Sequence, residues 1–137
     1  IALDQFCQDD FRVILTKTKT EKKNQTKIEK EVLGFDHTEV GRAMTDSWNL
    51  PYELVEVIGR HHNPDNIARD FVRPGLTLYV ADYVCQQKRL GYGDAPVQDK
   101  ELFKKCLKRL ELSSYALDLI AEDVEQELRK MEEQGLF

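Results

Sequence analysis

The spacing of apolar residues along the chain predicts a protein built from helices. Positions 3 to 16 carry apolar clusters compatible with one or two short helices, and a helical pattern runs from about Gln25 to Gly34. Similar patterns cover approximately positions 75 to 90, 99 to 110 and 113 to 134. No segment shows the alternation of period two that indicates a strand. We therefore predict an all-α fold, a multi-helix bundle.

A well-marked helix start lies at Asp36. Its side chain is suited to the N-cap position, and Glu39 three residues later completes a capping box. One side of this helix consists of residues that follow the first histidine by three, four, seven and eleven positions. Its members are His37, Val40, Gly41, Met44 and Trp48. We therefore predict that His37 faces the core and that Trp48 anchors it.

The next helix is predicted to begin at Pro51, which lacks the N–H that a helix interior needs but suits the first helical position. Its apolar stripe follows the spacing i, i+4, i+7 and i+8 and consists of Leu54, Ile58, His61 and His62. Two helices joined by a short turn pack side by side, so their stripes face a shared interior. All three histidines of the chain are therefore expected around one pocket.

Asp82 stands out in the helix predicted from Gly75 to about Leu90. It shares a face with apolar or small residues, and burying an unpaired carboxylate is costly, so we predict a partner for it. A turn-forming sequence from Gly91 to Pro96 follows this helix. The last predicted helix has Ser113 as its N-cap, an acidic exterior and an apolar stripe that could dock a second copy of the chain.

Composition narrows the class of protein. The chain has 137 residues, a length that suits one core, and its 41% hydrophobic and 33% charged residues are typical of a globular protein without membrane spans. The net charge of -5 argues against general nucleic-acid binding. The lysine-rich segment Lys17 to Lys30 is a local exception that reads as a solvated face or as a phosphate-binding patch. Three widely spaced cysteines suggest no disulfide framework and fit a reducing cytoplasm.

Three phrases of the sequence resemble the HDOD domain, namely Leu33 to Gly41, Trp48 to Pro51 and Ile58 to Pro64. HDOD domains are helical relatives of the HD-domain metal-dependent phosphohydrolases, and the sequence is also similar to the HD-GYP branch, whose members hydrolyse cyclic di-GMP. The resemblance implies that residues 1–90 are the C-terminal part of an HDOD-like bundle without its N-terminal helices. Residues 91–137 would be a helical extension packing on the same core.

The resemblance also implies site residues. In HD-type enzymes the metal ligands are an early histidine, a His-Asp pair, later histidines and a final aspartate. His37, His61 and His62 resemble the later histidines and Asp82 resembles the final aspartate, whereas the early ligands have no counterpart in this sequence. The Gly-Tyr-Pro element of HD-GYP enzymes is absent as well. These departures favour HDOD domains, whose members are mostly regulatory or scaffolding modules with degenerate metal sites.

The histidines and Asp82 then have two interpretations. They could form a partial site for a divalent metal, iron or manganese, or a hydrogen-bonded cluster without a cofactor in which Asp82 accepts an imidazole N–H. Adjacent residues of a helix point ~100° apart, so His61 and His62 are not expected to bind one ion together unless the helix end unwinds. One of these two rings is therefore expected to be a bystander.

The leading hypothesis is a non-catalytic output module of a bacterial, cytoplasmic signalling protein. It would act through a bound effector or through contacts with a partner protein, with other domains of the same protein or with a second copy. The alternative is a metal-dependent phosphohydrolase that acts on a nucleotide or a cyclic dinucleotide. In that case His37, His61, His62 and Asp82 would supply part of the shell of a metal that activates water.

Overall fold

The computed structural model describes residues 2–90 and 99–136. Within these two ranges the chain forms eight α-helices, two short 3₁₀ helices and no strand, which confirms the all-α prediction. The α-helices are α1 (Ala2–Phe6), α2 (Gln8–Glu21), α3 (Gln25–Leu33), α4 (His37–Ser47), α5 (Tyr52–Gly59), α6 (Val72–Lys88), α7 (Lys100–Leu110) and α8 (Ser114–Glu133). The 3₁₀ helices are Pro64–Asn66 and Arg69–Phe71.

Side-chain caps fix the starts of four helices. Asn24, Asp36, Asp99 and Ser113 each accept backbone N–H groups at the beginning of α3, α4, α7 and α8 respectively. At α4 the capping box is complete, because Glu39 Oε2 accepts the backbone N–H of Asp36 at 2.9 Å. Gly34 ends α3 with a φ of 82°, a left-handed conformation that glycine adopts at low cost. The predictions for Gly34, Asp36 and Ser113 are confirmed.

Helices α4 and α5 form a tight hairpin that determines where the histidines lie. A Cβ added at Gly41 would lie 3.1 Å from Ile58 Cγ2, and one added at Gly59 would lie 3.0 Å from the side chain of Arg42, so the glycines allow close packing. The buried carboxylate of Glu56 pairs with Arg42 at 2.6 Å and with Arg60 at 2.8 Å. These ion pairs connect the two helices and brace the end of α5.

The C-terminal core lies between α6 and α7. Its buried side chains are Leu76, Tyr79, Val80, Cys106 and Leu107. The ring of Tyr83 on α6 stacks on Phe103 of α7 with 3.9 Å between the centroids. Helix α8 packs more peripherally, through Leu117 against this core and through an ion pair of 2.8 Å between Lys88 and Glu125. None of the helices in the described ranges has the length and apolar character to cross a membrane.

Several predicted details differ from the structure. Trp48 is 61% exposed, so its prediction as a core anchor is wrong. Helix α4 ends at Ser47, and Trp48 is its C-cap, so the Trp48 side chain does not continue the buried stripe. Thr45 is buried on this helix instead. Leu54 is also exposed, because α5 buries Val55 and Val57 instead.

Helix boundaries differ by a few residues as well. Helix α5 begins one residue later than predicted and ends at Gly59 rather than continuing to His62. Helix α6 begins at Val72, and Pro74 fits within its first turn because no intrahelical bond is lost there. The turn predicted from Gly91 to Pro96 lies outside the described residues. The division of the chain at residue 90 remains a prediction.

Gly75 lies buried in α6, where an added Cβ would overlap Cδ1 of Ile67. Gly75→Ala is therefore expected to lower the free energy of unfolding by about 1–2 kcal/mol, because overpacking outweighs the better helix propensity of alanine. Ile67→Val removes Cδ1, so in that background the same change should be neutral or stabilising. Urea unfolding of the four proteins in this cycle measures the coupling, and additive effects would refute the proposed overlap.

Candidate functional site

The three histidines meet at one end of the α4–α5 hairpin. His37 is the first residue of α4, and His61 and His62 follow the end of α5. The ring centroid of His37 lies 5.3 Å from that of His61 and 4.9 Å from that of His62. One ligand nitrogen from each ring lies within 4.8 Å of the others. The rings therefore share one half-buried pocket.

His61 and His62 are close neighbours rather than divergent side chains. Their ring centroids are only 4.0 Å apart. The expectation that one ring would be a bystander rested on a helical backbone through both residues. Because α5 ends at Gly59 and Arg60 adopts a non-helical φ of -129°, the helical angle between adjacent side chains does not apply, and both rings face the pocket.

Glu29 of α3 holds His37 in place. Its Oε2 accepts a bond from the backbone N–H of His37 at 2.9 Å and lies 2.6 Å from ring Nδ1. Its Oε1 accepts a bond of 2.8 Å from Gln25. Burial opposes the charge of Glu29, but the bonds from His37 and Gln25 outweigh burial and hold the pKa of this carboxyl below its usual range. The Glu29 side chain is therefore an ionised acceptor that orients the His37 ring.

The rings of His37 and His62 contact each other directly, with their Nε2 atoms 2.9 Å apart. One nitrogen must donate and the other must accept. Burial, followed by the charges of His61 and His37, lowers the pKa of His62 to about 3, so this ring is neutral near pH 7. Its Nδ1 lies 3.5 Å from Oδ2 of Asp82, which also accepts a bond from Gln86 at 2.8 Å.

The hydrogen-bond partners assign part of the proton arrangement in this row. The ionised carboxylate of Glu29 can only accept, so Nδ1 of His37 carries a proton directed to Glu29. One further proton lies between the Nε2 atoms of His37 and His62. Beyond His62, Asp82 lies 3.5 Å from Nδ1. The residues thus form a row that runs from Glu29 through both rings to Asp82.

His61 is held from the backbone. Its Nδ1 lies 2.7 Å from the carbonyl oxygen of Ile58, so Nδ1–H donates and Nε2 is left as an acceptor. Burial is the main cause that lowers the pKa of this ring, which favours its neutral form. All three rings therefore have one nitrogen directed to a carboxylate or carbonyl oxygen, the orientation in which protein imidazoles bind metals through the other nitrogen.

Asp82 lies behind His62 rather than among the mutually close ligand atoms. Within residues 2–90 and 99–136, the group that meets the distance requirement for a shared ion consists of His37, His61 and His62. The position of Asp82 fits the interpretation in which it accepts an imidazole N–H, and its predicted role as a ligand stays a prediction. Its expected partners are His62 and Gln86.

Glu29 was missed by the sequence analysis, although a signal for it exists. In α3 the apolar residues Ile28, Val32 and Leu33 define a stripe, and Glu29 lies within it, one turn before Leu33. An acid inside an apolar stripe requires a partner by the same argument that singled out Asp82. The Glu29 side chain is fully buried.

Two cavities of about 330 and 350 Å³ lie beside the row that runs from Glu29 to Asp82. Both are lined by Gln25, His37, His62, Asp82 and Gln86. The first extends to Lys27 and the tyrosines of α6, and the second extends to Phe11 and Met44. The imidazoles of His37 and His62 therefore line both the first, polar cavity and the second, more apolar one.

The lysine-rich segment is partly neutralised by its own surroundings. Lys30 lies 3.1 Å from Asp36 and 3.6 Å from Glu39. Lys23 lies 2.7 Å from Glu21 and 3.5 Å from Glu31. These pairs are those of a solvated face, while Lys27 lines the first cavity.

Comparison with known proteins found one family match, which lies in the N-terminal part of the chain. Residues 1–64 match the family model of the HDOD domain. The match includes the three histidines and Glu29 and ends before Asp82. Comparison with curated proteins and with solved structures found no match to this chain. The similarity to the HD-GYP branch stays a prediction.

Proposed function

Because residues 1–64 carry the match to the HDOD domain, we propose that the chain is a non-catalytic regulatory or output module of a bacterial, cytoplasmic signalling protein. It acts through a bound effector or through contacts with other proteins or domains. The observation that supports this proposal best is the direct contact of 2.9 Å between Nε2 of His37 and Nε2 of His62. These two nitrogens can satisfy each other through one shared proton, an arrangement that requires no ion.

The chemistry of the donors supports the same function. Metal-dependent phosphohydrolysis needs an ion that keeps an open position for water or phosphate, usually among several carboxylates and imidazoles. Here the mutually close group in residues 2–90 and 99–136 contains imidazoles only. The carboxylates of Glu29 and Asp82 lie behind His37 and His62, 2.6 Å from Nδ1 of the first ring and 3.5 Å from Nδ1 of the second.

An effector has space beside the histidines. Each of the two cavities has the volume of a small-molecule site, and each reaches His37 and His62. A ligand in the polar cavity can meet Asn24, Lys27 and the hydroxyl-bearing tyrosines of α6. Binding there would act on the histidine row directly, which is how an output module could register an effector.

A metal-dependent phosphohydrolase is the second candidate function. The orientation of all three rings by oxygen atoms behind them favours this candidate, because metal-binding histidines are usually held in that manner. Iron or manganese would bind the remaining nitrogens and would have to displace the proton shared by His37 and His62. The chain would then hydrolyse a nucleotide or a cyclic dinucleotide.

Metal analysis of the purified chain distinguishes the two functions. After growth with added iron and manganese and dialysis without chelator, we expect far less than one ion per chain and no turnover of a cyclic dinucleotide or a nucleoside triphosphate. His37→Gln should leave the trace metal content unchanged. Stoichiometric metal that is lost in His37→Gln, together with turnover by the unmodified chain, would overturn the regulatory proposal.

A further inference from the structure

Helix α8 presents apolar side chains that the fold leaves uncovered. Ile120 is 52% exposed and Val124 is 45% exposed. Both line an apolar groove of about 350 Å³ between α8 and α6, whose opposite wall includes Val80 and Val84. The groove lies away from the histidines, and no residue lines both this groove and the cavities beside them.

The spacing of the apolar stripe on α8 is symmetric about its central residue. Its spacing is three, four, four and three residues, and its members are Leu117, Ile120, Val124, Leu128 and Met131. An antiparallel copy centred on Val124 would place Leu117 opposite Met131, Ile120 opposite Leu128 and Val124 opposite itself. A self-complementary stripe is what a two-fold symmetric interface requires, because the same surface must serve both copies.

Charge supports the same register. With Val124 at the axis, Asp118 of one copy lies opposite Lys130 of the other. Arg73 lies at the groove on the α6 side and has no carboxylate partner within residues 2–90 and 99–136. The α8 helix of a second copy would bring its acidic flank to this arginine. The groove and the exposed helix face thus complement each other chemically.

We propose that the chain self-associates through α8, as an antiparallel dimer in which the stripe of each copy enters the groove of the other. A helix of this length extends over ~30 Å, so the stripe offers a continuous contact rather than a single anchor point. This interface is independent of the histidine pocket and of its proposed role. It assigns a function to the C-terminal part of the chain, which lies beyond the HDOD match.

Sedimentation velocity over a range of concentrations tests the dimer with two matched variants. Val124 and Leu119 are both on α8 and both 45% exposed, but only Val124 belongs to the stripe. Val124→Asp sets two carboxylates against each other at the axis and should weaken dimerisation at least about 100-fold. Leu119→Asp should leave a dimer, and circular dichroism should show that both variants are folded.

Cross-linking provides a second test that does not require a destabilising change. Val124→Cys brings two thiols together across the axis, so mild oxidation should give a disulfide-linked dimer. In the same register the two thiols of Leu119→Cys would be ~15 Å apart along the helices, which is too far for a disulfide. The unmodified chain measures how much cross-linking its own cysteines give. A monomeric chain, or a dimer that survives Val124→Asp without cross-linking through Val124→Cys, would overturn the proposal. So would a groove that binds only a different protein.

Discussion

Glu29→Ala is expected to lower the free energy of unfolding by about 3–5 kcal/mol, because it removes a buried charged acceptor from its hydrogen-bond donors. The side chain is fully buried and accepts bonds from the backbone N–H of His37 and from Gln25, besides facing the ring of His37. Without the carboxylate, the start of α4 loses an acceptor and the histidine ring loses its orientation. Urea unfolding monitored by circular dichroism measures the loss.

Glu31→Ala is the matched control for this prediction. Glu31 lies on the same helix with a side chain that is 47% exposed, and its ion pair with Lys23 is 3.5 Å long. A surface pair of this kind contributes little to stability, because solvent screens it. Equal effects of the two substitutions would show that the buried contact to His37 has no special weight. Glu29→Gln, which keeps one acceptor, should fall between them.

Stability should also fall as the solution is acidified from pH 7.5 to 5.0. The pKa of His62 is lowered in the folded state, so folding favours the neutral ring. The stabilisation is complete above the pKa of the unfolded chain and is lost as pH falls towards the folded value of about 3. For a pKa of about 6.5 in the unfolded chain, His62 alone accounts for a loss of about 2 kcal/mol over this interval. The lowered pKa of His61 acts in the same direction.

Urea unfolding of chelator-treated protein at the two pH values measures this dependence, and His62→Gln provides the reference. The variant cannot take up a proton at this position, so its stability should change by about 2 kcal/mol less between the two conditions. Parallel changes in both proteins would contradict a lowered pKa at His62. Comparing each protein with itself keeps the test valid even where the substitution alters overall stability.

The parts of the fold that were predicted correctly depend on local chemistry. The capping box of Asp36 and Glu39 and the left-handed Gly34 follow from residues within a few positions of each other. The helical periods were likewise sufficient to predict an all-α fold. In contrast, the side chain of Trp48 leaves the predicted stripe because α4 ends one residue earlier, and element ends are the least certain part of such predictions.

The candidate site could be predicted only in part, for a tertiary reason. The helical spacing predicted that His37, His61 and His62 lie around one pocket. Their mutual contacts depend on the end of α5 at Gly59, which the spacing did not predict. The bond from His37 to Glu29 connects two helices, so the spacing of residues within either helix does not predict it. Its one sign in the sequence is an acid within the apolar stripe of α3. The position of Asp82 behind His62 depends on how α6 packs beside that turn. Whether the imidazoles bind a metal stays a prediction.

The histidines that line both cavities have a consequence for any molecule that enters either of them. A ligand in one cavity that makes a hydrogen bond to Nε2 of His62 or of His37 alters the hydrogen bonds that these rings can make to a ligand in the other cavity. If a ligand in one cavity changes the affinity of the other cavity for its ligand, the second ligand changes the affinity for the first by the same factor, because linkage is reciprocal. The row of two imidazoles and two carboxylates would then couple ligand binding in the two cavities without a movement of the helices.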